Sequence, residues 1–181
     1  MGTVKWGILG AAKIAKEQVI PAMKKSKNTE LYAIASRDIS KAEDFCHKFA
    51  ITKAYDDYNK LISDPNIDAV YIPLPNHLHV PFSINALKAG KHVLCEKPIS
   101  ITSDEIFELM QVQKETKKIV SEAFMVRFHP QWTETKKLIQ EGEIGKLNAI
   151  QGLFNYFNTD PNNIRNDVRI GGGGILDIGV Y

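Results

Sequence analysis

With 23 basic and 21 acidic side chains in 181 residues, the sequence carries a formal net charge of +2. That excess is too small for a chain that grips nucleic acid or a membrane surface by charge, so small molecules are the expected partners, with no nucleic acid and no membrane. The 44% hydrophobic content suffices for a proper core, and the length suits one full domain plus part of another.

The chain opens on a short apolar run, Val4–Leu9, which leaves no room for a charged n-region and an apolar h-region. Export is not expected, and the cytoplasm is the expected location. Met1 and Gly2 suggest myristoylation, but Trp6 stands where that motif wants Ser or Thr. Nothing approaches the ~18 apolar residues of a membrane span. After Gly10, apolar positions at Ile14, Val19, Ile20 and Met23 predict a helix. Residues 31–35 predict a second strand, followed by a helix that Ser40 caps with Glu43 as its capping-box partner. Asp64 and Pro65 break the next helical stretch, Ala69–Ile72 reads as a buried strand, and a helix over 80–89 stops at Gly90. His92–Cys95 is the next strand, Thr102 or Ser103 caps a helix running through Gln113, and residues 119–124 give a further strand.

Continuous apolar strands alternating with helices predict an α/β fold, a doubly wound parallel sheet with right-handed crossovers, over residues 1–124. Residues 125–181 change character. An amphipathic helix opens at His129, Pro130 and Gln131 and stops at Gly142 or Gly145, residues 147–157 read as a longer strand, and a polar loop leads to a glycine run. One strand and one helix cannot make a domain core. The expectation is therefore the incomplete start of an α+β domain, cut short at Tyr181.

Gly10, Ala12 and Ala15 occupy the three positions of the G-x-G-x-x-G/A dinucleotide fingerprint, between a strand and a helix as that motif requires. Gly10 supplies the tight turn, the helix start around Lys13 and Ile14 offers N–H groups to a pyrophosphate, and the Lys13 ammonium adds positive charge. Ala12 departs from the pattern, placing a methyl where the backbone approaches the phosphates; the alternative is an ordinary packing corner. In NAD binders an acidic residue ~20 positions on holds the ribose 2′-hydroxyl. Glu30 has that spacing but begins its strand, whereas the strand ends on Ser36, Arg37 and Asp38. A hydroxyl and a guanidinium there can clasp a 2′-phosphate, which points to NADP, with NAD as the lesser option. The alternative is a surface Arg37 paired with Asp38.

The buried strand His92–Cys95 closes on Glu96, Lys97 and Pro98, and strand ends in open parallel sheets are where ligands sit. Lys97 is the first catalytic candidate, against the alternative that Glu96 and Lys97 only cap a strand before a turn. Cys46 and Cys95 have no second thiol nearby and read as buried apolar residues in a reducing compartment. His79 and His129 read as structural, since neither has a carboxylate or cysteine arranged to bind a metal.

The segments Gly7-Ile-Leu-Gly10-Ala-Ala-Lys-Ile-Ala15, Asn76-His77, Glu96-Lys97-Pro98 and Gly172-Gly-Gly-Ile-Leu-Asp177-Ile-Gly-Val-Tyr181 occur in the order found in one enzyme family. On them the whole chain resembles the glucose-fructose oxidoreductase, inositol dehydrogenase and MocA (Gfo/Idh/MocA) family. Residues 72–77, 122–131 and 162–166 look most like its NADP-dependent D-xylose dehydrogenase and dihydrodiol dehydrogenase branch. The resemblance implies a Rossmann domain followed by a domain with a large, mostly antiparallel sheet that often forms a homodimer interface. It implies Lys97 as the catalytic lysine, Asp177 as the carboxylate near the substrate and Tyr181 as the proton-transfer group. Pro73, Asn76 and His77 fall where members touch the nicotinamide ribose, the alternative for the last two being a helix cap with an exposed histidine. A cis bond before Pro98, turning Lys97 towards the nicotinamide, is also implied. Residues 171–174, which could be a flexible linker, then read as a close-approach turn beside the substrate. The implied activity is hydride transfer between NADP and a carbinol or carbonyl carbon of a sugar or related polyol. The alternative from another class is a noncatalytic dinucleotide sensor, which needs the turn at Gly10 but not Lys97, Asp177 and Tyr181 together.

Overall fold

Six strands form one parallel sheet in the computed structural model, which describes residues 2–161 and 163–181. The readings that fall on Met1 and Asn162 lie outside the described residues. The strands are β1 (Val4–Leu9), β2 (Thr29–Ala35), β3 (Lys53–Tyr55), β4 (Ala69–Ile72), β5 (His92–Cys95) and β6 (Val120–Glu122). Their order is β3-β2-β1-β4-β5-β6 and every pairing is parallel. The chain thus winds outward from β1 in one direction and then, from β4, in the other.

Successive strand residues point to opposite faces, so each inner strand feeds two cores. Leu9, Val70 and Ile72 enter one core with Leu61, Leu87 and Leu109. Ile8, Ile34 and Tyr71 enter the other with Ile20, Ala42 and Phe45. The first core is covered by α3 (Tyr58–Ile62), α4 (His79–Lys88) and α5 (Ser103–Thr116), the second by α1 (Ile20–Lys25) and α2 (Ile39–Phe49). Gly7 is needed for this packing, because a Cβ added there would lie 2.5 Å from Leu61 Cδ2.

Local chemistry accounts for the helix ends. Thr102 caps α5 and closes a capping box with Glu105. At α2 the expected Ser40 cap is corrected to Asp38, whose carboxylate accepts from the Ser40 N–H at 3.1 Å and the Ser40 hydroxyl at 2.7 Å. An acid two residues earlier reaches the exposed N–H first, which puts Ser40 inside the first turn. Ahead of α1, residues Ala15–Val19 form a π-helical turn in which the Ile20 N–H donates to Ala15 O. Pro21, which has no N–H to give, follows at once.

The edge opposite the strand C-termini is fastened by a polar cluster. The buried Asp64 carboxylate accepts from the Tyr55 hydroxyl at 2.5 Å, Lys53 Nζ at 3.0 Å and two Asn66 nitrogens at 2.9 Å. Lys91 Nζ donates to Asp64 O and Ile67 O, each at 2.7 Å. The Tyr55 hydrogen bond, more than any other contact, holds the Asp64 carboxyl well below the usual carboxylate range.

Residues Phe124–Tyr181 form a second compact unit. It contains α6 (Pro130–Gln140), with the His129 side chain accepting from the Gln131 N–H at its start, then short turns at Ile164–Asn166 and Val168–Ile170 and a π-helical turn at Ile175–Gly179. The strand expected over residues 147–157 is corrected: no strand occurs there among the described residues, and Ile150, Leu153 and Phe157 are exposed. An alternating apolar pattern becomes a strand only when a ladder partner accepts it. No helix of the described residues is long and apolar enough to cross a membrane.

Asp64→Ala is expected to destabilise the chain by about 1 to 3 kcal/mol in urea unfolding, because it removes the buried carboxylate that accepts from Tyr55, Lys53 and Asn66. The depressed Asp64 value makes its contribution complete above pH ~4 and lost as pH falls through the folded-state value. The difference between wild type and variant therefore narrows on acidification below pH ~4.

Candidate functional site

Four neighbouring strands end side by side, and each hands over to a residue with site chemistry: β2 to Ser36, β1 to Gly10, β4 to Pro73 and β5 to Glu96. The strand order reverses between β1 and β4, the position at which open parallel sheets leave a crevice beyond their C-terminal ends.

At β1 the Gly10 N–H donates to Ala35 O at 2.8 Å, holding the turn against β2. Gly10 has φ +115°, a conformation that demands glycine, and an added Cβ would also press on Leu74 Cδ2 at 3.0 Å. The first local helical bond runs from Lys16 N–H to Ala12 O, so the N–H groups of residues 11–14 precede the helix ladder. Ala15 is fully buried, as the third fingerprint position requires, and Ala12 is half-buried. The Lys13 ammonium is exposed and lies 4.0 Å from Glu17. At β2 the buried Ser36 hydroxyl accepts from the Asp38 N–H at 3.3 Å. Arg37 is exposed and forms no ion pair among the described residues; Asp38 is engaged with Ser40 and Lys41 instead.

The loops after β4 and β5 are tied by polar contacts that the sequence reading missed. The Glu96 N–H extends the ladder to Ile72 O at 3.1 Å, and the Tyr71 hydroxyl donates to Glu96 Oε1 at 2.5 Å. Burial, then the Glu96 carboxylate, pushes the Tyr71 pKa far above its ordinary value, so the phenol is a permanent donor. The signal was a tyrosine in a strand buried throughout, since a buried phenol needs a partner. The Lys97–Pro98 bond is cis. Glu122 Oε1 accepts from the Ile99 N–H at 2.9 Å. His79, fully buried, places Nδ1 2.7 Å from Pro98 O and Nε2 2.7 Å from Leu74 O. Burial pulls its pKa down, against the two carbonyls, Glu96 and Glu122. Asn76 and His77 begin a 3₁₀ turn leading into α4, with His77 exposed.

In the second unit, Asp177 lies on the π-helical turn, where Arg165 Nε donates to Oδ2 at 2.7 Å and the Tyr156 hydroxyl donates to the same oxygen at 3.3 Å. Tyr181 follows one turn later, its N–H on Ile178 O and its ring stacked on Phe124 at 5.1 Å between centroids. The glycine run packs as a turn rather than a linker. A Cβ on Gly172 would lie 2.6 Å from both Asp167 O and Ile164 O, and the Gly173 N–H donates to Arg165 O at 2.8 Å. The polar stretch 163–168 and the glycines thus form one local structure around the Arg165 and Asp177 pair.

The chain matches the oxidoreductase family with an NAD-binding Rossmann fold over residues 4–124 and the GFO/IDH/MocA C-terminal domain over residues 132–181. It is 48% identical to an uncharacterized oxidoreductase, ORF334, of Rhizobium meliloti, across 100% of this chain and 54% of that protein. A D-xylose 1-dehydrogenase (NADP(+)) of Haloferax volcanii is 39% identical, across 97% of this chain and 54% of that protein. The crystal structure of KijD10, a 3-ketoreductase from Actinomadura kijaniata in complex with NADP and TDP-benzene, superposes with a TM-score of 0.94 at 36% identity, covering 99% of this chain and 55% of that one. The chain spans about half the length of the curated relatives it matches.

Tyr71→Phe removes a buried hydrogen bond to a carboxylate and is expected to lower the unfolding free energy by about 1.5 to 3 kcal/mol in urea titration.

Proposed function

We propose that this chain, which belongs to the GFO/IDH/MocA oxidoreductase family, binds NADP along its strand ends and supplies the proton-transfer groups for hydride exchange with a carbinol or carbonyl carbon of a sugar or related polyol. The observation that carries this reading is the row formed by Ser36, Gly10, Pro73 and Glu96-Lys97 at the switch point of the sheet. The D-xylose dehydrogenase and ketoreductase relatives support the choice of substrate class. A noncatalytic sensor would account for the turn at Gly10 but not for the lysine and tyrosine.

The residues present fit a dinucleotide. The Gly10 turn, at φ +115°, lets the backbone come close, the N–H groups of residues 11–14 offer donors to a pyrophosphate, and the Ala12 side chain is a single methyl. Lys13 adds charge, Ile14 packs at the helix start, and Ser36 with Arg37 receives the 2′-phosphate. Pro73, Asn76, His77 and Glu96 border the nicotinamide half. When bound, NADP supplies the hydride acceptor. In the oxidising direction Tyr181, as its phenolate, would take the hydroxyl proton while the carbinol carbon gives up its hydride, leaving a carbonyl. Lys97 provides positive charge that favours loss of that proton. Asp177, held by Arg165 and Tyr156, accepts a substrate hydroxyl. Reduction runs the same steps backwards.

This reading assigns residues 1–124 to dinucleotide binding and 125–181 to the start of a substrate and dimerisation domain. The free Cys46 and Cys95 agree with a reducing, cytoplasmic location. The exposed apolar side chains of Ile150, Leu153, Phe154 and Phe157 agree with a homodimer.

Fluorescence titration should show NADP binding more tightly than NAD, with Arg37→Ala erasing about one to two powers of ten of that preference. Equal or tighter NAD binding by the wild type rules out the assignment to Arg37.

Measured as NADPH formation with a panel of aldoses, Tyr181→Phe should cost ~10²- to 10⁴-fold in kcat. Lys97→Met should abolish turnover while leaving NADP affinity close to wild type. A Tyr181→Phe variant with unchanged kcat from pH ~6 to ~10 would assign the proton elsewhere.

A further inference from the structure

The loops after β4 and β5 carry Pro73, Asn76 and His77 on one side and Glu96 and Lys97 on the other. Their separation therefore fixes the space for whatever lies across them. Beyond the last ladder bond, Glu96 N–H to Ile72 O, the two strands no longer set that separation. His79 bridges the gap. It opens α4, is fully buried, and addresses one backbone carbonyl in each loop, Leu74 O through Nε2 and Pro98 O through Nδ1, both at 2.7 Å. The ring itself cannot touch a ligand.

We propose that His79 is a positioning residue for the nicotinamide half of the cofactor, setting the distance between the loop that carries Asn76 and the loop that carries Lys97 through its two carbonyl contacts. This rests on the reading of the site as a dinucleotide crevice. In that reading the adenosine half lies over β1 and β2 and the nicotinamide half over β4 and β5, as the two halves of a doubly wound sheet divide a dinucleotide.

The two nitrogens can be replaced separately. The amide nitrogen of asparagine sits close to the place of Nδ1 and retains the Pro98 contact, whereas that of glutamine reaches the place of Nε2 and retains the Leu74 contact. Phenylalanine fills the volume and retains neither. A neutral imidazole donates one of these bonds and the imidazolium donates both.

The test is equilibrium binding of two ligands, NADP and adenosine 2′,5′-bisphosphate, to wild type, His79→Phe, His79→Asn and His79→Gln. The bisphosphate contains the adenosine half and the 2′-phosphate but no nicotinamide ribose, so the loops after β4 and β5 do not act on it. The expected result is that His79→Phe weakens NADP about ten- to a hundredfold while changing the bisphosphate by less than about twofold. At least one of His79→Asn and His79→Gln, the one that keeps the donated bond, should recover part of the loss. A residue with only a stabilising role would weaken both ligands in parallel. Parallel weakening, unchanged NADP affinity in His79→Phe, or failure of both amide variants to recover any affinity overturns the proposal. If His79→Phe does not fold, the comparison is made with the two amide variants against wild type, which should lose NADP selectively. A wild-type chain that binds the bisphosphate but gains nothing from the nicotinamide half overturns this inference alone. One that binds neither ligand overturns the functional reading beneath it.

Discussion

Parallel pairing of β1 with β2 on one side and β4 on the other is the constraint on which the rest depends. Parallel neighbours cannot be joined by hairpins, so every connection crosses a face of the sheet and every strand C-terminus emerges at the same edge. Because the connections that leave β1 and β4 run in opposite directions, the loops after these two strands diverge and a crevice opens between them. Burial on both faces makes this arrangement rigid, with Ile8 and Tyr71 locking into one core and Leu9, Val70 and Ile72 into the other.

Rigid strands do not by themselves order the loops beyond them. That task falls to buried polar groups, each of which must find a partner when water is excluded. Tyr71 lies in an apolar core yet sends its hydroxyl to Glu96, so the core fixes the orientation of a carboxylate at the crevice. Glu122 takes the Ile99 N–H in the same way, and His79 takes two carbonyls. The loop on either side of Lys97 is therefore ordered by residues from β4, α4 and β6, and little of its geometry is set by its own sequence.

That division explains what could be read in the sequence. The inner strands were legible because a continuous apolar run bounded by breakers has few other uses. The edge strand β3 was not, since Lys53, Ala54 and Tyr55 are three residues with a polar start and depend on β2 for their ladder. Residues 147–157 had the converse problem, an alternating pattern that meets no partner strand among the described residues. At the site, Gly10 and Glu96-Lys97-Pro98 stood out because a turn and a charged strand end have local signatures. Tyr71 and Glu122 matter through partners 25 and 23 residues away, and His79 joins Leu74, five residues back, to Pro98, 19 residues on; such long-range pairings leave no mark in local spacing. Arg165 was likewise hidden, because its link to Asp177 exists only once the glycine run folds back on residues 164–168.

The end of β2 shows how a helix cap and cofactor choice become one problem. An acidic side chain at this edge is the usual partner of a ribose 2′-hydroxyl, and Asp38 is the acid present. Its carboxylate is committed to α2, accepting from both the N–H and the hydroxyl of Ser40, and those bonds hold its pKa below the ordinary value. Turning that carboxylate towards a ribose would strip α2 of its cap, a change that typically costs ~1 kcal/mol. The adjacent Ser36 hydroxyl already receives the Asp38 N–H, which keeps the turn closed and leaves Arg37 on the outside. The acid at this strand end thus serves the fold, and the group left facing solvent is a guanidinium, which a 2′-phosphate satisfies and a bare hydroxyl does not.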